Sequence, residues 1–153
     1  MSDYSHILAA IDFAESSALI LDKARDIALR NNAKLSLIHV VEYLPPLDSA
    51  YEPILVSNWA IDEKELLERG QHSLEHISKT FKLDEIKNDV ELKAQLGIPK
   101  NEICDYAREQ NCDLIVMGSH GRHGIKLLLG STANAVLHEM PCDILAVKIE
   151  DKT

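Results

Sequence analysis

The chain has 153 residues, 46% hydrophobic and 27% charged, with a net charge of −9, which suits one globular domain, 1–153, around a single core. No apolar run reaches the ~18 residues of a membrane-spanning helix, and so acidic a chain lacks the basic face that general nucleic-acid binding needs. Three scattered cysteines, Cys104, Cys112 and Cys142, are too few for a disulfide framework and read as small buried hydrophobes in a reducing, cytoplasmic setting.

The opening MSDYSHILAAIDF carries Asp3 and Asp12 across its apolar part and has no basic leader, so it reads as a first strand over 6–11 rather than a secretion signal. Ser16 or Ser17 then caps a helix whose Ile20, Ala24, Ile27 and Ala28 share a face. A second strand over 35–41 follows. Residues 43–60, with three prolines, read as a long irregular surface loop. After Asp62 the stripe Leu67, Leu74, Ile77 and Phe81 predicts another helix.

In 90–96, Val90, Leu92, Ala94 and Leu96 alternate with Glu91, Lys93 and Gln95, the pattern of an edge strand. Pro99 suits the first turn of a helix carrying Ile103 and Ala107. Residues 114–117, like 7–11, are apolar throughout, as buried central strands are. Ser131 caps a last helix that packs through Ala135 and Val136, and a fifth strand occupies 144–149. Strand and helix alternate, which predicts βαβ units: an α/β fold with a mostly parallel sheet and helices on both faces.

Function is concentrated in residues 118–132, GSHGRHGIKLLLGST. No Asp or Glu occurs from 114 to 138, where the chain average would give about four, while Arg122, Lys126 and three histidines do. Gly118 and Gly121 let backbone amides face an anion. Gly130, Ser131 and Thr132 add helix N-terminal amides and two hydroxyls, a phosphate-binding arrangement distinct from the Walker and dinucleotide motifs. Asp12, ending the first strand at the same sheet edge, is placed to accept bonds from a ribose. Val40 and Met117, at the ends of two other strands, can wall a flat base.

His72-Ser-Leu-Glu75-His76 fits the HxxEH zinc pattern, but no third ligand is evident and it reads as a solvated helix face. His120 and His123 read as exposed loop residues and His39 as a satisfied strand residue. There is no GxSxG and no usable Cys–His spacing, and no carboxylate cluster stands near the glycines to hold Mg²⁺. The pattern points to binding, with no obvious general base for a reaction.

HILAAIDFAESS, LSLIHVV, LGIPKNEICDYAREQNCDLIVMGSHGR and GSTANAVLHEMPCDILAV together resemble the universal stress protein family over nearly the whole chain. The resemblance implies a Rossmann-like five-stranded parallel sheet in order 3-2-1-4-5. It implies a homodimer through the last strand (144–149), with protein partners unspecified, and a role in stress response. In one branch it implies adenine-nucleotide binding through G-x2-G-x9-G-[ST]. Here Gly118-x2-Gly121 fits, but only eight residues precede Gly130-Ser131. The implied binding set is Asp12, Val40, Met117, Gly118, Gly121, Arg122, Gly130, Ser131 and Thr132. The implied ligand is ATP, ADP or AMP, with Mg²⁺ arriving on ATP rather than at a protein metal site. The other reading is a dimeric interaction module whose glycine loop is structural.

Overall fold

The computed structural model describes residues 4–13, 16–42, 62–86, 90–119 and 130–149. Strand and helix alternate along it: β1 His6–Ala10, α1 Ser17–Asn31, β2 Lys34–Glu42, α2 Glu63–Thr80, a 3-10 turn Leu83–Glu85, β3 Glu91–Gly97, α3 Pro99–Glu109, β4 Leu114–Gly118, α4 Ser131–Glu139 and β5 Asp143–Val147. The five strands form one parallel sheet in the order β3-β2-β1-β4-β5. The expected loop over 43–60, the glycine-loop residues Gly121 and Arg122, and the loop histidines His120 and His123 lie outside the described residues.

Strand periodicity divides the core into two layers. Ile7, Ala9, Leu35, Leu37, Leu114 and Val116 pack with Ile20, Leu21 and Ala24 of α1 and Leu74 of α2. The intervening Leu8, Ile38, Ile115 and Met117 pack with Ile103, Cys104 and Ala107 of α3 and Ala133 and Val136 of α4. Ile7, Leu8, Leu35, Leu37, Ile115 and Val116 are fully buried, each worth about 1.5–3 kcal/mol of hydrophobic stabilisation.

Local chemistry sets the helix ends. Asp62 caps α2 by accepting from the Lys64 amide at 3.0 Å. Asn32 ends α1 in the left-handed region, its amide returning to the carbonyls of Ala28 and Leu29. Pro99 opens α3. Gly70 lets α2 lie close on the sheet, since a Cβ there would stand 3.2 Å from Ala94 Cβ.

Three expectations are corrected. Ser16 occupies the N-cap of α1 but makes no side-chain cap bond. The cap of α4 is Gly130 rather than Ser131, which is the first helical residue. The last strand ends at Val147, because Ile149 turns its amide to Ser119 Oγ at 3.1 Å instead of continuing the ladder.

Candidate functional site

The chain leaves β1 towards β2 on one side and β4 towards β5 on the other, so a crevice opens at the carboxyl ends of β1 and β4. The crevice is a cleft of about 490 Å³. Asp12, Val40, Met117, Gly118, Gly130, Ser131 and Thr132 all line it. They come from the ends of β1, β2 and β4 and the start of α4, so residues up to 120 positions apart meet in one place. Met117 is 5% exposed and belongs to the layer beneath α3 and α4, while Val40 packs partly against that layer.

The α4 end of the cleft favours anions. Gly130 has φ −58° and ψ 154°, makes no side-chain cap, and accepts the first helical bond from the Asn134 amide at 2.9 Å. The amides of the first turn have no acceptor within the helix, and no acidic side chain stands in that turn. Glu139, at the far end of α4, bonds Lys100 Nζ at 2.9 Å and Arg108 at 2.8 Å. These two cations hold its carboxyl down at about 2, and the pairs tie α4 to α3.

The expected glycine chemistry needs correction here. Gly118 lies in β4 and Gly130 has a negative φ. Neither uses the backbone freedom that only glycine has. Of the described glycines only Gly97 has a positive φ, +147°, and it lies against Glu102 at the end of β3. Gly118 and Gly130 both line the cleft.

The β1–β2 side of the cleft is acidic, with Asp12 and Glu42 in its lining. Glu42 was not legible as a site residue, since it is one acid among 25. Pro99 and Ile103 of α3 also line the cleft, and their sequence signal, a helix start with an apolar face, points to the core alone. Ser119 was missed as well. It is 8% exposed and joins three segments: its amide donates to Val147 O at 2.9 Å, its carbonyl accepts from the Gly130 amide at 2.7 Å, and its Oγ accepts from Ile149 N. The Ser119–Gly130 bond fastens the two ends of the 120–129 segment together. Nothing in GSHGR distinguishes this serine from a turn residue.

Other candidates behave as follows. His39 donates from Nδ1 to Ile11 O at 2.9 Å, and its ring meets that of Phe13. His72 and His76 border an open depression with Phe13, Ser73 and Ile77. Among the described residues no three His, Cys, Asp or Glu side chains gather around a point suited to a metal ion. All three cysteines are free thiols. Burial pushes Cys104 up to about 11, Cys112 to about 12 and Cys142 to about 11, which makes them poor nucleophiles. Among the described residues no helix is long and apolar enough to cross a membrane.

The profile of the universal stress protein family matches residues 3–148. A universal stress protein A homologue of Coxiella burnetii is 38% identical over 151 residues, 98% of this chain and 99% of the relative. Universal stress protein UspA from Lactobacillus plantarum has the same fold, with a TM-score of 0.76 and 26% identity over 96% of this chain and 99% of its own. A universal stress protein solved in complex with cAMP superposes with a TM-score of 0.65 at 25% identity, covering 95% of this chain and 98% of that one. With its parallel 3-2-1-4-5 sheet and this agreement along its length, the chain belongs to the universal stress protein family.

Proposed function

We propose that this chain binds an adenine nucleotide (ATP, ADP or AMP) in the cleft and acts as a dimeric regulatory protein of stress response, its surface changing with the nucleotide held. The observation that carries the reading is the polarity of the cleft, with carboxylates of Asp12 and Glu42 on the β1–β2 side and an uncapped, acid-free helix N-terminus across from them. A nucleotide has the matching polarity: hydroxyl and amine donors at one end and phosphate at the other. Val40 and Met117 offer apolar contact for the base, and Asp12 is an acceptor for ribose hydroxyls. The amides of the first turn of α4 suit a phosphate, with the hydroxyls of Ser131 and Thr132 beside them. Gly118, Gly121 and Arg122 complete the proposed set. That a family member was solved with cAMP, an adenine nucleotide, supports the choice of base.

The connection between Gly121 and Gly130 is one residue shorter than the family pattern, which bears on the outer phosphates, so AMP and ADP fit as well as ATP. Mg²⁺ would arrive on ATP, and the chemistry it would supply is neutralisation of phosphate charge. The dimer is proposed to form through 144–149. β5 ends the sheet, and Ile144, Leu145, Ala146 and Val147 are all half-buried, an apolar edge that another strand can cover.

Calorimetric titration with ATP, ADP, AMP and cAMP tests the reading, together with Gly130→Val and Lys126→Ala. The backbone at Gly130 is open to valine, so the fold survives, but the branched side chain enters the cleft where phosphate must approach. Affinity should fall by about tenfold or more, against a few-fold for Lys126→Ala. No heat with any of the four at millimolar concentration would refute nucleotide binding and leave the interaction module. Normal binding by Gly130→Val would move the ligand elsewhere.

A further inference from the structure

Asp12 stands between two residues that one imidazole holds in place. Ile11, before it, donates its amide to Ile38 O at 3.0 Å and gives its carbonyl to His39 Nδ1 at 2.9 Å. Because a carbonyl only accepts, Nδ1 carries the hydrogen. Phe13, after Asp12, lays its ring against the same His39 ring, centroids 4.3 Å apart and planes tilted by 50°. His39 is backed in turn by α2, where the bare Gly70 leaves room beside His39 Cδ2.

Phe13 also has φ +60°, a left-handed conformation that is unfavourable for a bulky residue. The other described non-glycine residues with positive φ are Asn32, Lys82, Asn111 and Met140. Each of these sits at or just beyond the C-terminus of a helix, where that conformation closes the last turn. Phe13 ends no helix. It follows a strand, and its ring packs against His39 and the core layer beneath α1 and α2. Strain of this kind persists where the surroundings over-determine it, and it gathers at sites that need a side chain aimed.

We propose that His39 and Phe13 are positioning residues for Asp12, fixing the backbone on either side so that its carboxylate is aimed into the cleft. The inference rests on the nucleotide reading above and adds how the ribose-facing acid is held. His39 acts through both its faces: the Nδ1 hydrogen fixes the turn before Asp12, and the ring fixes the turn after it. An apolar residue with ordinary φ at 13 would fill the core as well but would send the chain elsewhere after Asp12.

The test is a double-mutant cycle read by AMP affinity. Phe13→Gly relieves the φ strain and removes the ring. It should weaken AMP binding about tenfold when Asp12 is present, and by less than about twofold in the Asp12→Asn background, because the loss acts through that carboxylate. Equal losses in the two backgrounds, or no loss in either, would overturn the proposal. His39→Asn keeps a donor near Nδ1 but loses the ring, and it should show the same dependence on Asp12 if Phe13→Gly does not fold. Hydrogen exchange read by NMR makes the two readings separable. Faster exchange in Phe13→Gly confined to 11–13 is expected whether or not nucleotide binds, and unchanged exchange there would overturn the positioning alone. A wild-type protein that takes none of ATP, ADP, AMP and cAMP would refute the nucleotide reading instead.

Discussion

Stability below neutral pH should be governed in large part by His6, at the end of the sheet opposite the cleft. The residue is 8% exposed, with Nδ1 3.1 Å from Gln110 O and Nε2 2.8 Å from Ser36 Oγ. Gln110 O only accepts, so Nδ1 carries the hydrogen and Nε2 takes the Ser36 hydroxyl: the pocket is filled by the neutral ring. Burial is the largest cause lowering its pKa from the ordinary 6.5, and Lys34 adds to it, while the Gln110 carbonyl, Glu91 and Asp113 act in the opposite direction. With the folded pKa depressed, the unfolded chain binds the proton first as pH falls. The contribution is therefore fully present above 6.5 and is lost on acidification towards the folded value. Between pH values of about 7.5 and 5.5 one such group removes up to about 1.4 kcal/mol. Urea denaturation of wild type and His6→Gln at both pH values isolates the effect, since every other titrating group is common to the two proteins. The wild type should lose more stability than the variant over that interval. Parallel losses, or a greater loss in the variant, would show that the imidazole is charged in the folded state.

Three further outcomes follow from packing and pairing. Ile115→Ala, in the fully buried middle of β4 beneath α3 and α4, should cost about 2–5 kcal/mol in urea denaturation, and a loss below about 1 kcal/mol would mean the two layers collapse freely around the gap. Ser17→Ala should stabilise by about 1 kcal/mol and raise Tm by about 2–4 °C, because the buried Oγ has no hydrogen-bond partner among the described residues and alanine is the better helix former; a lower Tm would reveal a partner. Val147 O accepts from Ser119 N, so in this parallel ladder Val147 faces β4 and its neighbour Ala146 faces the outer edge. Ala146→Pro should then leave the sheet intact yet convert the proposed dimer to monomer in light scattering, and an undiminished dimer would place the interface elsewhere.

The fold was legible in the sequence because burial on both faces leaves a simple trace. Uninterrupted apolar runs at 7–11 and 114–117 mark β1 and β4 as central, and the alternation of 90–96 marks β3 as an edge, as the strand order has it. Each signal arises from a solvent boundary that every residue in the strand shares. Helix starts were less secure. Asp62 caps α2, but at α4 the cap passed from Ser131 to Gly130, since a one-residue shift changes no hydrophobic contact and only the backbone angles decide it.

At the cleft, the sequence by itself determined which chemistry was available: an acid-free, glycine-bearing stretch and an aspartate closing a strand, both read from residue type alone. The tertiary structure decided what stands beside what. Glu42 and Pro99 carry no local mark and enter the site only because parallel crossovers bring the ends of β2 and β3 to the same edge as those of β1 and β4. It also decided that Gly118 and Gly130 do not use glycine's backbone freedom, since one lies in a strand and the other has a negative φ. The left-handed Phe13 lay beyond any reading of the sequence, because residue type favours the ordinary conformation there and the His39 ring that Phe13 meets lies 26 positions away in the chain.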